Sequence, residues 1–554
     1  MKNKIIYGLF ALVSCTAILT SCKKDLTEYN PGGLTAETVY TKAAGFDALV
    51  NAAYSYTRFW YGKEEGYSVM EMGTDIWTNG SGDVFPQLST YNNLQGNNTA
   101  ALTLLWNNSY AAVNLCNTGI AGIDKVTDYP AAQKLVRESE LRFLRAFYYW
   151  HIVETWGGVH FTTQPTDGVI TEANRTPVDT FYSQILKDLQ FATTNLPATT
   201  SEYGRITKGA AKAFLSRVYL TRGMNAQAIG TANEVISNTS YGLLPKYSDL
   251  WSMGNLKNKE VLWAVDYSTN LAFNDLASSA FPNGHSRGSN NGHLMFLMVY
   301  DQSATSILLR DINNGRPFNR YMPTLSLLNM FDDVNDSRYA ASFQTVWYAN
   351  KAGVFNGNNF VIGDTAVYTA KTTIPVAVMN SRKYVTYDVS KTYAADGTPT
   401  QRKFYVSLKK FKDSTRASVA EAQSARDAFV IRLAEVYLNA AEAEFNLGKL
   451  DSAAYYLNIV RTRAALPGRT AFMQVTAGQV TIDFILDERA RELCGEQLRW
   501  FDLKRTGKLQ SRIAALNPDA APYVKAYHNV RPIPQSQIDA VTNGSAFTQN
   551  PGYQ

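Results

Sequence analysis

Histidine and cysteine are scarce in this chain, whose 554 residues include five histidines and four cysteines. It contains no HExxH helix, G-x-S-x-G turn, phosphate-binding loop or Cys–His pair. His285 and His293 share one polar stretch, but no cysteine or acid lies between them, and a zinc site needs three or four converging ligands. The chain therefore lacks the sequence marks of a metal-dependent or nucleophilic enzyme.

Acidic residues with calcium-site spacing are also few. The stretch that starts at Asp311 resembles the beginning of a twelve-residue calcium-binding loop, which has glycine at its sixth position and glutamate at its twelfth. Here Gly315 occupies the fifth position, and the twelfth is not a glutamate. Asp332, Asp333 and Asp336 offer three nearby carboxylates, for which we favour the capping of a helix end. We therefore predict no cofactor and no metal, and we keep a structural calcium ion as the alternative.

Charge of one sign is not concentrated in any part of the chain. The 53 lysines and arginines against 47 acids give a net charge of +6, and no basic run follows the pattern of a nucleic-acid contact. A hydrophobic content of 45% and a charged content of 18% are typical of a globular protein. We therefore expect no nucleic-acid partner.

The long hydrophobic run of this sequence lies at its N-terminus. Two lysines precede an apolar stretch over residues 5–19, which is shorter than the about 20 residues of a membrane-spanning helix. The pattern predicts a signal peptide over residues 1–21. Leu19-Thr20-Ser21-Cys22 resembles a bacterial lipobox, so Cys22 is the predicted lipidation site and residues 22–34 the tether after it. An ordinary secretory signal with a chance cysteine is the alternative.

Two cysteines would remain as thiols after this processing. They are Cys116 and Cys494, of which Cys494 lies on the apolar stripe of a predicted helix. Pairing cannot be read from sequence, so a disulfide between them stays open. We predict two buried free thiols.

The segment 482–509, IDFILDERARELCGEQLRWFDLKRTGKL, combines an apolar stripe with a dense set of charges. The stripe predicts a helix that faces a core, and its members are Ile482, Ile485, Leu486, Ala490, Leu493 and Cys494. The other face carries Asp487, Glu488, Arg491, Glu492 and Glu496. Asp487 and Arg491 stand four apart in the order that favours a pair. Because no nucleophile or histidine accompanies these charges, we interpret them as a structural ion-pair network.

The same segment resembles the signature of the SusD/RagB family, ER-x-x-EL-x-x-EG-x-R-x-x-DL-x-R. The matching residues are Glu488-Arg489, Glu492-Leu493, Glu496, Arg499, Asp502-Leu503 and Arg505, and Gln497 replaces the usual glycine. Further segments that resemble the family lie at 144–149, 156–159, 432–443, 531–534 and 549–553. The resemblance covers nearly all of residues 35–553.

This resemblance implies a location and a function. Members of the family are outer-membrane lipoproteins of Bacteroidetes-type bacteria that capture nutrients, mostly glycans, for a TonB-dependent transporter. It implies that the protein is anchored to the outer membrane by lipid on Cys22 and exposed at the cell surface. It also implies an oligosaccharide or polysaccharide ligand, a SusC-like transporter as partner, and no catalytic residues.

Helical periodicity predicts the architecture. Amphipathic helices fill residues 35–245 and 425–554, and those of 429–464 turn at Gly448 with the small-residue spacing of a tetratricopeptide repeat. Residues 246–424 between them are rich in Asn, Gly, Ser and Thr. We predict a mainly α fold, a tetratricopeptide-like scaffold of helical pairs with a loop-rich, ligand-binding insertion that contains a few short β-strands. Candidate strands cover 260–265, 385–389 and 404–411.

Large rings in polar loops are the best candidates for ligand contacts. The face of a sugar ring presents C–H groups that stack on aromatic side chains, while its hydroxyls bond to polar groups. Such rings occur in the loop 62–95, in a second loop near residues 281–291, and in a third at residues 347–348. The predicted contacts are Asp75, Trp77, Asn79, Phe85, Tyr91, Phe281, His285, Arg287, Asn290, Asn291, Trp347 and Tyr348. For each ring, pinning its own loop to the scaffold is the competing interpretation.

The chain is therefore predicted to be a non-catalytic, cell-surface glycan-binding subunit that delivers nutrients to a transporter. One alternative is a surface enzyme that degrades polysaccharide. Another is a tetratricopeptide adaptor that captures peptides or docks on protein. The lack of an activated nucleophile counts against the enzyme, and the rings in polar loops count against the adaptor.

Overall fold

The computed structural model of the protein describes residues 39–268, 270 and 289–554. The predicted signal peptide, Cys22 and tether lie outside these residues. None of the described helices combines the length and apolar character needed to cross a membrane. The helices are α1 (Ala43–Ser55), α2 (Glu64–Met70), α3 (Pro86–Thr90), α4 (Ala100–Gly122), α5 (Ala131–Trp156), α6 (Val178–Asn195), α7 (Lys208–Thr221), α8 (Asn225–Ile236), α9 (Gly292–Met295), α10 (Leu325–Asn329), α11 (Arg338–Ser342), α12 (Val376–Asn380), α13 (Val389–Thr392), α14 (Leu433–Asn446), α15 (Leu450–Ala464), α16 (Thr470–Met473), α17 (Ile482–Glu492), α18 (Arg499–Arg505), α19 (Leu509–Leu516) and α20 (Gln535–Asp539). The strands are β1 (Trp77–Asn79), β2 (Val261–Val265), β3 (Tyr321–Pro323), β4 (Phe343–Gln344), β5 (Val346–Tyr348), β6 (Gly353–Phe355), β7 (Asn358–Phe360), β8 (Thr365–Thr369), β9 (Val385–Tyr387), β10 (Ser407–Leu408) and β11 (Ala428–Arg432).

Helices α4 to α8 form the first part of the scaffold, each packing against the next along the chain. Their facing sides supply the apolar core, in which Leu144 and Phe147 of α5 and Phe214 of α7 are fully buried. Helix α7 begins with a side-chain cap, because the Thr207 side chain accepts a hydrogen bond from the Ala210 N–H at 3.3 Å.

The helical stack continues across the insertion. Helix α8 packs against α14, and α14 against α15, although the insertion separates them in sequence. Arg217 of α7 donates to both carboxylate oxygens of Glu435 in α14, at 2.6 and 2.7 Å, and both side chains are buried. The pairs α7–α8 and α14–α15 therefore stack as consecutive repeats, which confirms the predicted mainly α, tetratricopeptide-like scaffold.

Strands β2 and β11 close the base of the insertion. They pair antiparallel, from Ala428 opposite Val265 to Arg432 opposite Val261, so the chain leaves the helical frame and returns to it at one place. The sequence pattern predicted helix from Phe429 onward, which is wrong because β11 precedes α14. A short buried apolar run does not distinguish a strand from the end of a helix.

The insertion has a second apolar core of its own, with small sheets around it. The buried members of this core include Trp77, Phe296, Tyr321 and Trp347. Strand β1 pairs with β3, β4 with β10 and β6 with β7, while β8 lies between β5 and β9. The predicted strands at 260–265 and 385–389 are confirmed as β2 and β9. In the predicted strand 404–411, β10 alone is paired.

The predicted aromatic loop 62–95 contains regular structure that its pattern hides. Helices α2 and α3 lie in it, together with β1. In α2 all residues from 66 to 70 are buried, so no polar face alternates with an apolar one and the helical period is lost. The expectation of an irregular segment is wrong for these elements.

The segment 482–509 forms separate helices rather than one. After α17 the chain turns through Gly495 and Gln497, which both adopt positive φ, 74° and 62°, before α18 begins. Positive φ is costly for a residue with a side chain, and Gln497 stands where the family usually has glycine. Its amide accepts a hydrogen bond from the Gly62 N–H at 3.1 Å and donates one to the Trp60 carbonyl, which offsets part of that cost.

The charges of α17 form a buried network. Arg338, at the start of α11, donates to Glu488 at 2.8 Å and to Glu492 at 3.0 Å. Arg432, at the end of β11, donates to Glu492 at 2.6 Å and to Glu496 at 2.7 Å. All five side chains are buried, so this is the structural ion-pair network that the sequence predicted, and it ties α17 to the insertion and to the scaffold.

The network keeps its carboxylates ionised. Burial would raise the pKa of Glu492, but the guanidinium groups of Arg463, Arg432 and Arg338 outweigh it and lower the pKa to about 2. The Glu492 side chain therefore carries a full charge at neutral pH, and that charge depends on all three arginines.

One predicted ion pair within α17 does not form. The spacing predicted a pair between Asp487 and Arg491. Instead, Arg512 of α19 binds Asp487, and Arg491 binds Glu488 at 2.7 Å. Asp487 thus pairs with a neighbouring element, while Arg491 pairs within α17 at a spacing of three residues rather than four.

The thiols of Cys116 and Cys494 are buried and are not joined by a disulfide. This confirms the predicted free thiols. Burial raises the pKa of the Cys494 thiol to about 12, so the thiol stays protonated at neutral pH. A buried, protonated thiol does not act as a nucleophile.

Replacement of Arg217 by methionine should destabilise the protein by about 3–5 kcal/mol, because Glu435 is left charged and buried without its partner. The double substitution Arg217→Met with Glu435→Leu should recover most of that loss, since it removes the charge as well. Free energies of unfolding from urea denaturation measure both. Lys212→Met, which breaks an exposed pair with Glu234, is the control and should cost at most about 1 kcal/mol. Equal losses for Arg217→Met and the control would contradict this role.

Acid should weaken the fold through the α17 network. The folded pKa of Glu492, about 2, lies below its ordinary value of 4.5, so between these pH values the unfolded chain binds more protons. The stabilisation is complete above about pH 4.5 and is lost as the pH falls towards 2. The free energy of unfolding should therefore decline over this window in the wild type and less steeply in Glu492→Gln. Identical slopes would show that Glu492 makes no such contribution.

Candidate ligand-binding surface

Three of the rings predicted to contact ligand belong to the protein core. Trp77 and Trp347 are at most 1% exposed, and Tyr91 is 2% exposed. Trp77 packs against Phe296 with 4.8 Å between ring centroids, and Tyr91 packs against His528 at 4.7 Å. The structure corrects their prediction as contact residues, because these rings present no face to a ligand and instead pin their loops to the core.

Two of the predicted polar contacts are also internal. The Asp75 carboxylate accepts hydrogen bonds from Arg499 at 2.8 and 2.6 Å and from Arg512 at 2.7 Å. Burial would raise the pKa of Asp75, but the two arginines outweigh it and hold the pKa below its ordinary value. The Asn290 amide donates to the Arg426 carbonyl at 2.7 Å. Both side chains hold segments of the protein together, so their prediction as ligand contacts is corrected as well.

Four predicted residues reach the surface within the described part of the chain. Tyr348 is 57% exposed on β5, and Asn79, Phe85 and Asn291 are half-buried. The side-chain oxygen of Asn79 accepts a hydrogen bond from Arg402 at 2.9 Å. These four remain candidates for ligand contact. The other predicted contacts, Phe281, His285 and Arg287, lie outside the described residues.

The bases of two predicted loops meet at residues 61–63. The Tyr267 hydroxyl donates to the Tyr61 carbonyl at 2.7 Å, and the Asn291 N–H donates to the Gly62 carbonyl at 2.8 Å. Tyr267 precedes the second loop in sequence, Asn291 is its last residue, and residues 61–63 open the first loop. The end of the second loop therefore lies beside the start of the first.

Asn319 holds the first loop against residues 316–320. Its side-chain oxygen accepts hydrogen bonds from the N–H and the hydroxyl of Ser81, each at 2.7 Å, and its carbonyl accepts one from the Gly82 N–H at 2.9 Å. A Cβ atom on Gly80 would lie 2.3 Å from the Asn319 carbonyl oxygen, so this approach requires glycine. The loop therefore lies directly on residues 316–320.

Phe318 is a half-buried ring between two arginines. The guanidinium carbon of Arg316 lies 5.2 Å from the ring centroid, and that of Arg320 lies 5.0 Å from it. Arg320 also pairs with Glu64 at 2.6 Å and donates to the Gly82 carbonyl. Phe318 was not predicted as a ligand contact, because the predicted contacts come from segments with several rings. The sequence signal for Phe318 is the Arg-Pro-Phe-Asn-Arg segment at 316–320, in which two arginines flank one ring.

A cleft of about 620 Å³ lies beside the first loop. Its polar lining is dominated by amides, which offer both donors and acceptors to hydroxyl groups. Phe85 adds an apolar face, and Glu65 adds a carboxylate. The residues that line the cleft are Glu65, Phe85, Asn97, Asn98, Thr99, Ala100, Thr103, Leu104 and Asn107. Tyr348 is not among them.

A second, larger cleft lies along α4. Asn107 lines both clefts, and the second has a volume of about 720 Å³. The aromatic part of its lining consists of Trp106, Tyr110, Phe161 and Phe547. Asn107 is therefore a residue that the two clefts share.

We refer to residues 79–85, 97–107 and 316–320 together as the loop surface. It offers two half-buried rings, Phe85 and Phe318, on which the C–H face of a sugar can stack. Amide and guanidinium groups around the rings can bond to sugar hydroxyls. This arrangement suits reversible binding of a carbohydrate, for which no covalent step is needed.

The acids considered for calcium have partners within the protein. Asp332 accepts hydrogen bonds from the Val334 N–H and the Asn335 amide. Asp333 pairs with Lys371 at 3.1 Å. Asp336 pairs with Arg338 at 2.6 Å. In the described ranges, no three His, Cys, Asp or Glu side chains converge as metal ligands.

Comparison with known families classifies the chain. The model of the SusD family matches residues 259–553. A second model, described as starch-binding associating with outer membrane, matches residues 47–220. The first match alone spans more than half of the chain, so the protein belongs to the SusD family. The resemblance seen in the segment 482–509 is thereby confirmed.

Individual relatives agree with this classification over the full length. A SusD-like protein of Formosa agariphila is 25% identical, across 100% of this chain and 99% of its own. A laminarin-binding SusD-like protein superposes with a TM-score of 0.70 at 22% identity and covers 92% of this chain and 100% of its own. Surface glycan-binding protein A of Bacteroides thetaiotaomicron, solved in complex with laminarihexaose, gives a TM-score of 0.66 at 21% identity, with 92% and 99% coverage. The two structures show that this chain has their fold.

Gln497→Gly should relieve the strain of positive φ, worth about 1 kcal/mol, but should lose two hydrogen bonds worth about 1 kcal/mol each. We expect a net destabilisation of about 1 kcal/mol. Gln497→Ala keeps the strain and should cost about 2 kcal/mol. Urea denaturation of the two variants beside the wild type measures these losses. A glycine variant more stable than the wild type would show that the side chain does not hold residues 60–62.

Proposed function

We propose that the protein is a non-catalytic subunit that binds glycans through the loop surface. The observation that carries this proposal is the combination of Phe85 and Phe318 with amide and guanidinium groups on one rigid frame. Membership of the SusD family supports it, as does the relative that was solved with laminarihexaose. Binding sites are commonly built from loops held by a rigid scaffold.

The arrangement of the acidic residues supports a role without catalysis. Glu488, Glu492 and Asp75 are held by arginines inside the protein. A glycosidase needs two carboxyl groups that face one sugar bond, and these three are committed to packing. The strongest acid cluster of the sequence is thus structural.

We further propose that the protein is attached to the outer membrane by lipid on Cys22 and faces outward. The lipobox-like sequence at 19–22 and the family description that mentions the outer membrane support this. A SusC-like TonB-dependent transporter would receive the glycan, with the helical scaffold docked on the transporter while the loop surface holds the ligand.

The test is a binding screen of the purified mature protein against soluble polysaccharides, with analysis of products in the same samples. Retardation of the protein in native gels by a glycan, without new reducing ends, is the expected result. Release of shorter products would overturn the proposal in favour of an enzyme. Binding of peptides but of no glycan would overturn it in favour of an adaptor.

Phe318→Ala and Phe85→Ala should each weaken binding of the glycan identified in that screen by about tenfold, because each removes a stacking face. Trp77→Ala should instead lower stability by about 3–5 kcal/mol through a cavity in the core, while the folded fraction still binds. Calorimetric titration and thermal denaturation separate the two effects. Tyr455→Ala, at an exposed ring on α15, is the control and should change neither. Lost binding in Trp77→Ala alone would contradict the assignment.

A further inference from the structure

Three cations of the segment 412–426, which Arg316 contacts through the Ala420 carbonyl, bond to neutral oxygens rather than to carboxylates. Arg416 donates to the Glu421 carbonyl at 2.9 Å, and Arg426 donates to the Lys412 carbonyl at 2.7 Å. Lys412 itself donates to the Asn313 carbonyl at 3.1 Å. Within the described chain, these three cations form no salt bridge with a carboxylate. The positive charge of this region is therefore only partly neutralised.

The pKa values of two of these groups are lowered, chiefly by burial. Burial, opposed by Asp311 and reinforced by Lys409 and Arg416, lowers the pKa of Lys412 to about 7. Burial also lowers the pKa of Arg426 to about 10, although Asp413 and Asp427 oppose the shift. Because burial disfavours the charged form of a cation, an anion that reached these groups would stabilise that form.

Arg316 brings this charge to the loop surface. It is half-buried, and its guanidinium lies against the Phe318 ring. One of its nitrogens donates to the Ala420 carbonyl at 2.6 Å, and its other N–H groups have no acceptor among the described residues. It also lies close enough to Arg416 to lower the pKa of that group. A substituent on a sugar stacked on Phe318 would fall within reach of these free donors.

The second arginine against the Phe318 ring differs from Arg316 in having acidic neighbours. Arg320 pairs with Glu64 at 2.6 Å. Burial raises the pKa of Glu64 to about 7, against the opposing effect of Arg320, and Glu65 and Asp83 raise it further. Arg316 is therefore the arginine at Phe318 whose charge has no carboxylate partner among the described residues.

We propose that the loop surface selects acidic glycans, in which a sugar bearing a carboxylate or sulfate group stacks on Phe318 and binds Arg316 through that anion. This inference rests on the proposed glycan binding and adds the chemical class of the sugar. A guanidinium group binds carboxylate and sulfate oxygens through two parallel hydrogen bonds. The nearby cations Lys412, Arg416 and Arg426 also attract this anion through a longer-range electrostatic interaction, which added salt screens. A neutral sugar has no such anion, so stacking and uncharged hydrogen bonds are the only interactions that stabilise its binding.

Pairs of polysaccharides that differ mainly in charge test the proposal. The probes are dextran with dextran sulfate, and methyl-esterified with free polygalacturonate, each cast into native gels at low and at high salt. At least one anionic polymer should bind about tenfold more tightly than its neutral partner, and high salt should weaken that binding. The two pairs distinguish sulfate from carboxylate as the anion that is recognised.

Matched variants assign the selectivity to Arg316. Arg316→Gln should weaken binding of the anionic polymer about tenfold and leave any binding of the neutral polymer unchanged. Arg310→Gln removes the same charge from a nearby arginine that is paired with Asp301, so it should bind like the wild type. Phe318→Ala should weaken the binding of charged and neutral polymers alike. Thermal denaturation confirms that each variant is folded.

The outcomes separate this inference from the proposed function. Equal binding of both members of each pair, or equal losses in Arg316→Gln and Arg310→Gln, would overturn the selectivity for acidic glycans while glycan binding stands. If only the neutral polymers bound, and Phe318→Ala lost that binding, the selectivity for acidic glycans would also be overturned while glycan binding stands. Failure to bind these probes and every polysaccharide of the wider screen would overturn both.

Discussion

Buried carboxylates on a single helix fix how the parts of this chain fit together. Glu488 and Glu492 of α17 bind guanidinium groups from α11 in the insertion, from β11 at its base and from α15 in the scaffold. A charge inside a protein is tolerated only when its partner is in place. The insertion and the scaffold must therefore both be positioned before the network is complete, and α17 is the element on which the two meet.

The same helix fixes the start of the first loop through a short series of contacts. The turn after α17 holds Gln497, whose amide binds the backbone of Trp60 and Gly62. Gly62 in turn accepts the hydrogen bond from Asn291 that joins a residue of the second loop to the start of the first. The first loop thus begins on backbone that is fixed by the core. For the proposed function, a ring carried by such a loop needs little reordering to meet a ligand, and this lowers the entropic cost of binding.

The helical frame was predictable because its signals are local and periodic. The apolar stripe of α17 and the small residues of α14–α15 each follow from spacing along the chain. Trp77 and Phe318 show where such reasoning ends. Both are rings in polar segments, yet one is buried against Phe296 and the other lies at the surface, and residues distant in sequence decide which. Helix α2 was missed for a related reason, since a helix buried on all sides has no alternation to detect.

The packing of α8 against α14 has a consequence for how the protein is made. During synthesis α8 is complete long before α14 exists, so the side of α8 that packs against α14 has no neighbour until the whole insertion has been translated. Closing so long a segment carries an entropic cost, and contacts between residues far apart in sequence form slowly. A nascent chain that stops within the insertion exposes this unmatched side of α8, and exposed apolar surface of that kind favours aggregation.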